Sequence, residues 1–446
     1  MEKKRLIENK TSLKLFKKID KLNFKFIKKY GKINLISIFF LDIQKYLSSS
    51  YKSKLYKIKS KKKIKFPFID LNYLNKNNKL IFNLNNKINK DILDDDLSEL
   101  NSKIFKVLNL FSKSEHGVYM PNSHIYDYIK SKNINNIKKI YFDKIFLENI
   151  DFQILHLKQF LNKFVKEFKI KNSYYTSNFL DWIKLFLSNN KKDNKVTTNK
   201  LLIGTNMNIK SRIMSAKYLI NKKEVFSFAH ANYSSLVYDD PVNECGEFSF
   251  CTKYFSNGNI KFKKKHIKSN LCKPKKIIYR KILKRNFISS QNSMDKSLYI
   301  PNSYNSYRRY GYYRDLDDNS YLMWQKKLIR ASKNIFLKRH PKSRFNYNLI
   351  QSNKVLDGKV FDYLKKYDLF IFDIISQPFF EVAQTNNKIL YLDINQRLLD
   401  KKVIKLIRKR AYVVKCNLNK IKSEDIKKII NSAKSFRIKS FDILNI

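Results

Sequence analysis

The chain is poor in the residues that punctuate and cross-link proteins. Its 446 residues include only four cysteines, seven glycines, seven prolines and two tryptophans. The cysteines, Cys245, Cys251, Cys272 and Cys416, form no CxxC pair, which argues against a zinc site. Four scattered thiols suit a reducing cytoplasm. No apolar segment follows the N-terminal MEKKRLIENK, so no signal peptide is visible. The most apolar early stretch, residues 33–41, is too short to span a bilayer and runs into Asp42. These absences predict a protein made and kept in the cytoplasm. No P-loop, GxGxxG or GxSxG occurs, which removes the usual support for kinase, dinucleotide oxidoreductase and hydrolase chemistry. No DxD metal triplet stands out either. Asp315, Asp317 and Asp318 fall in RDLDDNS, which reads as the loop before a helix with Ser320 as its cap. Neither a metal nor a cofactor is expected.

Acid is scarce too: 37 Asp and Glu stand against 93 Lys and Arg, a formal net charge of +56. Such an excess points towards nucleic acid or an anionic membrane. Here it is spread along the chain, with no clean basic tail. It accompanies a wealth of Lys, Asn, Ile, Phe and Tyr, all residues with AT-rich codons, so compositional drift accounts for it best. A membrane surface is the next reading, and nucleic acid the last.

What is present suffices for a core, since 43% of residues are hydrophobic and 14% aromatic. The length fits two or three domains. Residues 1–190 read as a basic, mainly helical region, with apolar residues at three- and four-residue spacing in SLKLFKKIDKLNFKFIKKY. The charge run at 58–64 reads as solvated or touching a membrane, and residues 71–97 as loop. His116-Gly117 reads as a turn, and His156 as a core histidine. Residues 191–285 change texture: LLIGTN and EVFSFAH are buried strands around a helix, SRIMSAKYLI, that begins near Ser211. That spacing is a βαβ unit with parallel pairing. Residues 280–296 read as linker. From 297 to 446 the rhythm repeats: SLYIPNS, NIFLKRHP, LFIFD and KILYLD are strands, while SYLMWQKKLIRAS and PFFEVAQTN are helices. Near-continuous apolar strands alternating with helices predict a parallel sheet covered on both faces.

Ligands of open parallel sheets bind beyond the carboxyl ends of the strands. Polar residues cluster at those ends: Asn302 and Ser303; Arg339, His340, Lys342 and Ser343; Asp373 through Ser376 and Gln377; and His230. Cations and helix N-termini at such positions suit phosphate.

Residues 201–393 resemble the GT-B-type transferases of surface carbohydrate biosynthesis, a group that includes capsule polysaccharide enzymes and relatives of CDP-glycerol glycerophosphotransferase. The resemblance is carried by LYIPNSYNSYRRYG, by LKRHPKS, by DLFIFDIISQPFFEVAQTNNKILYLD, and by FSFAHANYSS followed by DDPVNECGEFSFCTKYFSNG. Two positions depart from the pattern, Ala231 after His230 and Gln377 beside Ser376. The resemblance implies an α/β protein with two Rossmann-like domains facing a cleft and a helical, basic N-terminal extension. It implies that His340 contacts the donor phosphate, that Ser376 and the helix start at Pro378 hold another phosphate oxygen, and that Glu381 bonds a ribose or sugar hydroxyl. It makes His230 the general base, with Asp239, Asp240, Glu244 and Glu247 as alternatives. The implied activity is metal-independent transfer from a nucleotide-activated sugar or polyol to a surface polysaccharide or lipid-linked glycan, with the basic surface dwelling on the inner leaflet. The rival reading is a non-catalytic RNA- or ribosome-associated protein, supported by the charge and by the aromatic stretch YNSYRRYGYYR.

Overall fold

A computed structural model describes residues 2–44, 46–47, 114–120, 123–167, 174–229, 241–256, 268–269, 276–279, 295–301, 318–340, 352–394, 399–418 and 420–440. The charge run at 58–64, residues 71–97 and the aromatic stretch at 304–314 lie outside these ranges, as does nearly all of the expected linker.

Helices α1 (Glu2–Tyr30) and α2 (Leu35–Ile38) open the chain. Then come β1 (His116–Tyr119), α3 (Ser123–Ser131), β2 (Ile137–Lys139), β3 (Ile145–Phe146), α4 (Ile150–Glu167), α5 (Tyr174–Lys184) and β4 (Leu187–Ser188). They are followed by β5 (Lys200–Ile203), α6 (Ile209–Ile220), β6 (Glu224–Phe228), α7 (Pro241–Phe248), β7 (Lys253–Ser256) and β8 (Lys276–Tyr279). A six-stranded sheet runs in the order β2-β1-β5-β6-β7-β8, and every pairing in it is parallel. The expected βαβ unit is present as β5, α6 and β6.

Three local expectations change. The region before residue 190 is not purely helical, because β1 and β2 are strands of this same sheet. His116-Gly117 is not a turn but the start of β1, and the site is closed to any side chain. A Cβ on Gly117 would stand 2.6 Å from Thr198 Oγ1 and 2.7 Å from Ile140 Cγ1. Helix α6 starts at Ile209, two residues before Ser211. Asn208 is its cap, accepting from Lys210 N, and Ser211 is buried within the helix.

Alternate strand residues face two cores. On one side Leu201, Ile203 and Val225 meet Leu15, Phe16 and Ile19 of α1, Leu35 and Ile36 of α2, and Leu157 and Leu161 of α4. On the other side Val118, Leu202, Phe226 and Phe228 meet Ile125 and Ile129 of α3. The N-terminal helices are therefore part of this unit's main core.

The second unit comprises β9 (Ser297–Ile300), α8 (Asp318–Arg330), β10 (Ile335–Lys338), β11 (Val355–Leu356), β12 (Leu369–Phe372), α9 (Gln377–Ala383), β13 (Lys388–Asp393), α10 (Lys401–Arg410), β14 (Tyr412–Lys415) and α11 (Ser423–Lys434). Helix α8 already includes Ser320, so Ser320 is not its cap. The sheet order is β11-β10-β9-β12-β13-β14, again parallel throughout. The sequence LFIF shows why this sheet needs two apolar faces. Leu369 and Ile371 pack with Tyr321, Trp324 and Leu328 of α8 and Ile426 of α11. Phe370 and Phe372 pack with Phe379 and Phe380 of α9 and Ile407 of α10.

Candidate active site

Counting strands within the second unit, the order is third, second, first, fourth, fifth, sixth. The chain winds outward from β9 in one direction, then returns to place β12 on the other side of β9. The connecting helices leave opposite faces of the sheet at that reversal. Sheets of this order hold nucleotides in a crevice beyond the carboxyl ends of the strands at the reversal, here β9 and β12.

Asp373 stands at this point but is enclosed in it. It is 1% exposed, and its Oδ2 accepts from Tyr299 OH at 2.5 Å, Tyr321 OH at 2.7 Å and Trp324 Nε1 at 3.3 Å. Burial, reinforced by the carboxylate, holds the Tyr299 phenol well above its usual range. This geometry ties β9, β12 and α8 together and supports a framework role rather than the phosphate contact expected. Asp373→Ala leaves buried donors without their acceptor. It should cost about 3–5 kcal/mol, read as a lower denaturant midpoint, while Asp373→Asn should cost clearly less. Equal losses in the two variants would refute the lock.

Five other expected residues are described near these strand ends. Ser376 precedes α9 with extended backbone (φ −134°), and its side chain makes no capping bond. Gln377 begins the helix, Pro378 follows in its first turn, and Glu381 lies one turn on; all are half-buried. Arg339 is exposed and forms a two-point pair with Asp357, Nε to Oδ1 at 2.8 Å and Nη2 to Oδ2 at 2.7 Å. His340 is half-buried directly after it. Asn302, Ser303, Lys342 and Ser343 lie outside the described residues.

Two residues here were passed over in the sequence. Lys338 ends β10 with its side chain turned inward, 5% exposed, and its Nζ donates to Arg339 O at 3.3 Å. Burial pulls its pKa down, opposed by the charges of Asp357, Glu381 and Asp362. Lys338 and Glu381 are thus within electrostatic reach of each other, although they come from different strands' connections. Arg410 holds the far end of α9. Its Nε donates to Ala383 O at 2.8 Å, and its Nη2 to the carbonyls of Val382, Thr385 and Asn387 at 3.1, 2.7 and 2.9 Å. Burial lowers its pKa to about 10. The signal for Lys338 was a lysine closing an otherwise apolar strand run. For Arg410 it was a basic residue at the join of an amphipathic helix and a strand.

In the first unit, Glu247 is the described alternative base. It is 3% exposed, accepting from Tyr254 OH at 3.1 Å and Thr205 Oγ1 at 3.4 Å. Thr205 lies just past the carboxyl end of β5. Burial, then the Glu247 charge, pushes the Cys251 thiol up, so that thiol stays protonated and inert. Cys245 and Cys416 are also buried and free. Glu244 lies in α7, with only its backbone described. His230, Asp239 and Asp240 lie outside the described residues. His156, expected in a core, is half-buried with Nδ1 2.9 Å from Tyr30 OH.

Two tandem parallel sheets, each flanked by helices and the second in the dinucleotide-type order, define an α/β protein of two Rossmann-like units. This is the make-up of GT-B-type chains. No protein-family model matches the sequence, and no curated protein matches it. Among solved structures it is similar to UGT89C1 of Arabidopsis thaliana complexed with UDP (12% identity, 75% of this chain and 86% of that one, TM-score 0.37). It is also similar to MurG of Acinetobacter baumannii (8%, 74% and 83%, TM-score 0.31) and to a UDP-N-acetylglucosamine 2-epimerase (10%, 72% and 87%, TM-score 0.34). Likeness at these scores decides nothing about activity, and the class rests on the chain's own strand order. None of the described helices is long and apolar enough to cross a membrane.

Proposed function

We propose that this chain is a transferase that moves a sugar or polyol-phosphate unit from a nucleotide-activated donor to a surface polysaccharide or lipid-linked glycan. The observation that carries the reading is the reversal of strand order between β9 and β12, with Lys338, Ser376, Gln377 and Glu381 around its carboxyl edge. A buried ammonium beside a crevice has little water to solvate it, so an incoming phosphate is its natural partner.

In this reading His340 and Lys338 hold the donor phosphates and stabilise the negative charge of the departing nucleotide. Ser376 and Gln377 hold a further phosphate oxygen, and Glu381 accepts from a ribose or sugar hydroxyl. Asn302, Ser303, Arg339, Lys342 and Ser343 are further candidates for binding the donor nucleotide and its phosphates. His230 takes the proton of the acceptor hydroxyl as its oxygen bonds to the transferred carbon or phosphorus, while the bond to the leaving phosphate breaks. Asp239, Asp240 and Glu244 are alternative bases. Glu247 is the weakest of that set, because its oxygens are engaged by Tyr254 and Thr205.

A thermal-shift screen with CMP, CDP, UDP and GDP tests this. One nucleotide should stabilise the protein by about 2.7 kcal/mol at 100 times its Kd, and Lys338→Met should abolish that gain. No stabilisation by any of the four would sink the reading.

A further inference from the structure

Helix α1 has two unlike faces. Leu15, Phe16, Ile19 and Phe26 are buried in the main core of the first unit. The outer face carries Lys14, Lys17, Lys21, Lys25 and Lys28, with Lys32 just beyond, at successive helical turns, and all are exposed. Between them sits Phe24, 40% exposed, with Lys28 Nζ 4.8 Å from its ring centre. At one end Glu167 of α4 lies within electrostatic reach of Lys14. Asp20, the acid of this stretch, is turned inward, where it accepts from the backbone N–H groups of Lys268 and Ser269 and from the Ser269 hydroxyl.

Helix α4 lies alongside in the opposite direction. Lys18 pairs with Glu167 at one end. At the other end Tyr30 bonds His156, and Leu35 N donates to Gln153 Oε1 at 2.8 Å. The outer face of α4 exposes Phe152 to 62% and Leu155 to 47%, with Lys158, Lys163 and Lys166 further along and Asp151 at its start. Large apolar side chains are thus left in water on a surface dominated by lysine.

We propose that the outer faces of α1 and α4 form a docking surface for an anionic lipid bilayer. Long lysine stems reach the headgroup phosphates, and Phe24, Phe152 and Leu155 enter the boundary with the acyl chains. Each lysine near an anionic leaflet adds a modest attraction that sums over the stripe. A nucleic acid would also meet the charge, but Leu155 offers it neither stacking nor a hydrogen bond, whereas an acyl layer receives it directly. The inference does not depend on the transferase reading, since binding is measured without any donor or acceptor.

The test is sedimentation of the full chain with vesicles of phosphatidylcholine alone or with added phosphatidylglycerol. The parent should bind the anionic vesicles and not the neutral ones. A Lys21→Gln/Lys25→Gln/Lys28→Gln variant should bind about 100-fold more weakly. Phe152→Ser/Leu155→Ser should weaken binding about tenfold or more and remove the part that survives high salt. All these side chains are exposed, so the thermal midpoint should not move. Lys401→Gln/Lys402→Gln/Lys405→Gln on α10 removes the same charge elsewhere and should leave binding unchanged. Equal weakening by the two lysine triples would assign binding to overall charge and overturn the proposal. So would full binding by the α1 triple, no binding by the parent, or loss confined to binding of a single-stranded RNA oligomer.

Discussion

Replacing His230 by alanine should leave nucleotide affinity within about twofold and lower transfer by about 10²–10⁴-fold, the share a positioned base contributes. A base acts on the acceptor proton in the transition state and barely touches the bound donor. His340→Ala should behave differently, lowering nucleotide affinity and transfer together by about 10–100-fold, as the loss of a charge-assisted phosphate contact would. Titrating nucleotide into each variant and measuring single-turnover transfer separates the two. Full activity in His230→Ala would move the base to Asp239, Asp240 or Glu244. Unchanged nucleotide affinity in His340→Ala would leave Lys338 as the phosphate cation.

The second large effect is on stability. Arg212 of α6 is 1% exposed and pairs with Asp42 just after α2. Its Nε donates to Ile38 O at 2.8 Å, and its Nη1 to the carbonyls of Asn206 and Met207 at 3.0 and 2.9 Å. Asp42→Ala strands a buried guanidinium and should cost about 3–5 kcal/mol, because the remaining charge loses its partner without regaining water. In denaturant the unfolding of the first unit should move to lower concentration, while that of the second should not. A loss below about 1 kcal/mol would mean that the pair behaves as a surface one.

Much of the second unit was legible because its strands are buried on both faces. SLYI, LFIF and KILYLD are unbroken apolar runs, and each is a strand. Short strands flanked by lysine are hidden: KIIY of β8 and YVVK of β14 are too short and too close to lysines to stand out as buried runs. Strand β1 was misread because glycine signals a turn, whereas Gly117 is required by the crowding of Thr198 and Ile140, which only the folded packing creates. For the site, the sequence marks which loops carry polar residues but not which way they point. Asp373 reads like Ser376 in the sequence, yet one is wrapped by Tyr299, Tyr321 and Trp324 while the other keeps its hydroxyl out of any cap. Lys338 escaped notice because only burial distinguishes it from the many lysines around it.

The closures that hold α1 and α2 span long stretches of chain. Asp42 waits 170 residues for Arg212, and Asp20 waits 249 for Ser269. During synthesis at about 5–20 residues per second, the apolar face of α1 leaves the ribosome first and stays without its partners for on the order of ten seconds or more. The second unit closes over a shorter span, since its two cores use only residues 298–433. The first unit is therefore the one whose early helix waits longest for its partners while it is made. A chain stalled before residue 212 would be a substrate for aggregation rather than a half-finished domain.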